Sequence, residues 1–130
     1  MNRTDRILVG LGIVTWLAAA IFIRLALPNG WLDGGFATLL VFAVSVPIAA
    51  ISIEIARNLA DASQRDLLRI ASIISAVGLL LDGIAFVWAS QLYTVDHSTL
   101  FSGGAWLLWT VGVTLTYALV RTAKGHDAQP

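Results

Sequence analysis

One carboxylate in this chain sits where a carboxylate is expensive. The stretch LLLDGIAF, residues 79–86, is fit for lipid apart from Asp82. An acid near the middle of a bilayer costs roughly 2.5–3.5 kcal/mol on insertion scales, and such acids mark ion pairs, ligand anchors or proton relays. The cation nearest to it in depth is Arg24. Asp82 lies ~5 Å outward of its segment's midpoint and Arg24 ~10 Å outward of its own, at 1.5 Å per residue. A long arginine side chain closes that gap, and helical side chains tilt towards their N-terminus, here towards Asp82. The sequence therefore predicts an intramembrane polar pair, Asp82 with Arg24, that sets helix register. A carboxylate that titrates or holds a ligand is the alternative.

The remaining chemistry is sparse. Glu54 has Arg57 three residues on, an ordinary ion pair at the end of a helix. His97 follows Asp96, and His126 lies in the tail, so no histidine stands at depth to hold haem. The absence of cysteine excludes disulfides, thiol redox chemistry and thiolate metal sites. No phosphate-binding glycine motif, nucleophile elbow or metalloprotease signature occurs. Small multidrug transporters of similar length carry an acid in the first helix, where this chain carries Arg24 and no acid. Catalysis wants several convergent polar groups, and only one pair is visible. The expectation leans away from an enzyme, with a membrane enzyme as the third reading, and names no cofactor, no metal and no catalytic residue.

The elements that position these residues are apolar spans. Of 130 residues 58% are hydrophobic and 12% charged, with mean hydropathy +0.82; soluble domains average about 45–50% and about 25%. Net charge is zero, so no basic surface suggests nucleic acid. Four segments reach the ~20 residues a bilayer requires: about 7–27, 36–56, 67–91 and 100–120. The first resembles a signal peptide in its basic start and in AAA at 18–20, but its apolar run continues to Leu27, which favours a retained helix. Short connections force antiparallel neighbours, so the predicted fold is all-α: one domain over 1–130, an up-down-up-down four-helix transmembrane bundle. In that bundle the first and third helices are diagonal. Every basic residue except Arg24 falls in the N-terminus, the 57–69 connection or the tail, which predicts both termini in the cytoplasm. Pro28, Gly30, Gly34 and Gly35 punctuate the 28–35 connection, with Asp33 placed to cap the second helix, and Ser63 with Asp66 reads as a capping box before the third.

Helical spacing gives the third span two faces. Ala71, Ser75, Gly78, Asp82, Ala85 and Ala89 share one arc, and all but Asp82 are small; Ile73, Val77, Leu80, Ile84 and Val87 lie opposite. Small residues let helices approach closely in membranes, so Asp82 points into the bundle. The second span carries Ser45, Ala49, Ser52 and Ala56 in a similar stripe, and Pro47, which predicts a kink and a freed carbonyl at Ala43. Gly104, Gly112 and Thr116 form a weaker face in the fourth. Trp31, Phe36, Trp88, Tyr93, Phe101 and Trp106 read as an aromatic belt at the outer interface.

Through Asp82–Gly83, Tyr93, Asp96 and GGAWLLW the last two helices resemble an uncharacterised family of small bacterial four-helix integral membrane proteins. That resemblance implies a bacterial inner membrane and carries over no functional residue. The partners expected are the lipid bilayer and either a second copy or a larger membrane protein. The leading functional expectation is a subunit that acts by helix packing; the alternative is a transporter or binder of a small molecule with Asp82 as its polar anchor.

Overall fold

The computed structural model describes residues 3–127. It contains α1 (Arg3–Ala26), α2 (Phe36–Leu59), α3 (Leu67–Trp88) and α4 (Leu100–Asp127), with single 3₁₀ turns at Gln64–Asp66, Ser90–Leu92 and His97–Thr99. All four helices are long and apolar enough to cross a membrane. At 1.5 Å per residue they run about 33–42 Å, past the ~30 Å hydrocarbon layer. Helices α1, α2 and α4 overrun the apolar runs because Arg, Thr, Asn and Lys continue a helix into water without penalty; hydropathy marks the span and not the helix end.

Contacts along the axes set the directions. Arg69 pairs with Asp5 at 2.5 Å, and Trp16 bonds Asp82 at 2.9 Å, so α1 and α3 run parallel. Trp106 bonds Ser45 and Tyr117 bonds Glu54, each at 2.9 Å, so α2 and α4 are also parallel. Gln64 reaches the Arg121 carbonyl and Phe86 lies beside Gly104, so α3 and α4 are antiparallel. The up-down alternation holds, but the expected diagonal does not. Around the bundle the order is α1, α3, α4, α2, with α1 packed chiefly on α3 and barely touching α2. The reason is visible at Gly12: a Cβ there would meet Val77 Cβ at 2.9 Å, so α1 and α3 close to a distance only glycine allows. At Gly103 a Cβ would meet the Ile23 side chain at 2.9 Å, a local contact across the loop end of the bundle. The faces read from Gly112 and Thr116 are exposed instead.

The core is split. Leu8, Ile53, Ala56, Ala60, Leu67, Ile70, Ala71 and Ala118 pack at the end that holds the termini. Ala20, Ile23, Ala85, Tyr93 and Leu107 pack at the other, loop end. Between them the bundle is not filled. The bulky side of α3 faces outward only in its second half, with Leu80 70%, Ile84 57% and Val87 69% exposed; Val77 packs on Gly12 of α1 and Ile73 on the core at the terminal end.

Local chemistry sets the ends. The Ser63–Asp66 capping box forms and opens α3 through a 3₁₀ turn. Asp33 does not cap α2: Gly35 takes that place, and Asp33 Oδ1 accepts its N–H at 3.0 Å in an Asx turn, flanked by positive φ at Gly30 and Gly34. Helix α2 continues through the exposed Pro47. Side-chain donors nearby go to the carbonyls of Val41, from Ser45, and Phe42, from Trp109.

Candidate functional site

Asp82 is buried, on the face its spacing predicts, but its partners differ from the expected one. Oδ1 accepts the Trp16 indole N–H at 2.9 Å and the Tyr93 hydroxyl, and Trp16 also lies 3.1 Å from the Tyr93 oxygen. Arg24 is exposed and donates to the backbone carbonyl of Gln91. The Arg24–Asp82 pair is therefore not formed. Two facts explain it. Arg24 snorkels towards the end of the bundle, where carbonyls just past a helix terminus lack intrahelical partners. Helix α3 also ends at Trp88, three residues short of the expected Gln91. Ala89 leaves helical geometry at φ −141°, ψ 38°, and a 3₁₀ turn follows. In a straight helix Tyr93 would lie ~16 Å along the axis from Asp82. The break folds the chain back, and Tyr93, fully buried, inserts its ring beside Phe86 with its hydroxyl on the carboxylate. Burial, with the hydrogen bond to Asp82 second, pushes the phenol above its usual range, so Tyr93 stays a donor.

The other small-face residues divide by role. Ala71, Ser75 and Ala85 on α3 and Ser45, Ala49 and Ala56 on α2 are buried as expected. Ala89 lies outside the helix and is half-buried. Gly78 is half-buried with open space where a Cβ would stand, and Ser52 is exposed. Neither packs a neighbour. Both line a cavity of about 700 Å³ that all four helices help to form and that stands open on one side. Asp82, Ser45, Ser75 and Ala49 contribute to the same wall, so the small stripes of α2 and α3 leave room rather than closing it. The volume falls within the ~300–1,000 Å³ of ordinary ligand pockets. The seam between α1 and α2, where the helices scarcely meet, is its open side.

Four of the belt aromatics, Trp31, Phe36, Trp88 and Phe101, are exposed as an interface belt requires. Tyr93 and Trp106 turn inward: Tyr93 to Asp82, Trp106 into the cavity with its N–H on Ser45. Trp16 escaped the sequence reading. Its signal was its depth: a tryptophan at mid-span needs a partner for its N–H when buried, and Asp82 is at comparable depth.

Glu54 forms the expected pair with Arg57 at 3.0 Å, and the fold adds Tyr117 at 2.9 Å and Arg121 at 3.4 Å. Asp96 serves α4: its side chain accepts the Ser98 N–H at 2.9 Å and hydroxyl at 2.8 Å, bonds that hold its carboxyl below the usual range. His97 approaches Ser90. Among the described residues no three His, Cys, Asp or Glu side chains converge as metal ligands would. No family model matches this sequence, and no curated protein or solved structure matches it either.

Proposed function

We propose that this membrane protein binds a small apolar or amphipathic molecule inside its helix bundle, entering sideways between α1 and α2 with Asp82 as the polar anchor. The observation that supports this reading most is the unfilled middle. About 700 Å³ lies between two tight core clusters, a volume within the range of ordinary ligand pockets, and it opens through the α1–α2 seam. In a bilayer the α1–α2 seam faces acyl chains, the natural source of an apolar guest. The basic residues at the terminal end favour a cytoplasmic side there.

Thermal unfolding in a mild neutral detergent tests the reading. Amphiphiles added to the wild type are expected to raise the midpoint through linkage, and Ala49→Phe, which fills the wall, is expected to abolish the rise while keeping the fold. No shift with any amphiphile, or equal shifts in both proteins, contradicts it. The packing-subunit reading draws on the same open seam, which a partner helix could cover; a co-purifying protein of fixed stoichiometry would favour it.

A further inference from the structure

We infer that the cavity's ligand is a lipophilic cation; this rests on the binding role proposed above and deepens it. The residues lining the cavity include one acid, Asp82, and no Lys, Arg or His. Both protein donors to the Asp82 carboxyl converge on Oδ1, and no donor among the described residues reaches Oδ2. The site therefore presents a carboxyl with one oxygen free of protein donors and no cation beside it, and an occupant that complements it brings a positive charge to that oxygen.

The walls suit the rest of such a molecule. Trp16, Phe22, Trp31 and Trp106 all line the same cavity as Asp82. Phe22 stands between the two other rings, 4.6 Å from Trp106 and 6.4 Å from Trp31 by centroids. Trp16 and Trp106 spend their N–H groups on Asp82 and Ser45, which pins the ring edges beside the cavity. Aromatic faces attract cations through the ring quadrupole, tryptophan most of all. A carboxylate beside several aromatic rings in a largely apolar chamber matches an organic cation with bulky hydrophobic substituents. An anion would meet the Asp82 carboxyl with no cation to balance it, and a neutral molecule would gain nothing from the ion pair that a cation forms there.

Binding of three probes of similar shape, measured calorimetrically in uncharged maltoside detergent, decides the matter: tetraphenylphosphonium, the anion tetraphenylborate and neutral triphenylphosphine oxide. The cation is expected to bind at one per chain and the anion not at all. Asp82→Asn should weaken the cation about tenfold or more, which is ~1.4 kcal/mol. Trp106→Leu should weaken it and Trp106→Phe should restore most of the loss, a readout that survives if the Asp82 variant misfolds. Equal binding of all three probes, or insensitivity to both Asp82→Asn and Trp106→Leu, overturns the cation assignment and leaves the binding role standing. No probe binding, while neutral amphiphiles still shift unfolding in the wild type alone, overturns it in the same way. Silence in both assays removes the binding role as well.

Discussion

The carboxyl of Asp82 is stabilised by two hydrogen-bond donors and no cation, and this changes what its neighbours are for. Tyr93→Phe leaves a buried acceptor short of a partner, a change that costs roughly 1–3 kcal/mol; the fall in unfolding free energy in detergent checks it. Trp16→Phe should cost a similar amount, and the cost of the two together should differ from the sum, because they share one oxygen and lie within 3.1 Å of each other. Additive costs in that double-mutant cycle would show that the three groups do not act as a unit. Arg24→Gln, by contrast, should leave Asp82 undisturbed, since its contact is to Gln91 at the bundle's edge. Asp82 and its inward direction were legible from spacing alone, because a small arc opposite a bulky one leaves only one way to turn. Its partners were not. Depth counted along separate helices says nothing about which helices touch, and the fold-back that delivers Tyr93 depends on a helix break at Ala89 that hydropathy does not mark.

At the scale of the elements, the four spans were readable because apolar runs of bilayer length have few other uses, and the Ser63–Asp66 box because its spacing states its bonds. The closest pairing, α1 on α3, was hidden in one glycine. Gly12→Ala should push α1 from α3 against the stem of Val77, for about 1–3 kcal/mol of overpacking, whereas Gly112→Ala, where nothing lies within 4 Å, should be close to neutral. Thermal midpoints of the two variants compare them directly; equal midpoints would contradict the close approach. Asp96 offers a pH test. Its bonds to Ser98 depress its pKa on folding, so its contribution is present above the ordinary carboxylate range and is lost as pH falls through the depressed value. The stability gap between wild type and Asp96→Ala should therefore narrow as the pH drops below about 4. A gap that widens in acid would contradict that cap.

For the whole molecule, the arrangement is two sealed ends around an open middle, with one weak seam. Because the chain has no cysteine, single cysteines at Asp33 and Lys124 report sidedness against a silent background. With an impermeant thiol reagent on intact cells, position 33 should react and position 124 only after lysis; the reverse pattern would invert the orientation proposed from the basic residues. The cavity itself was not readable, since the small residues that predict close packing in α2 and α3 are the same residues that leave space when α1 packs on α3 and stands off α2. What occupies that space is the question on which the functional reading turns. Native mass spectrometry of the protein released from mild detergent addresses it most directly. A small-molecule adduct on the wild type that is absent from Ala49→Phe is the expected result. A wild-type chain that carries nothing, or the same adduct on both proteins, would contradict a ligand in the bundle.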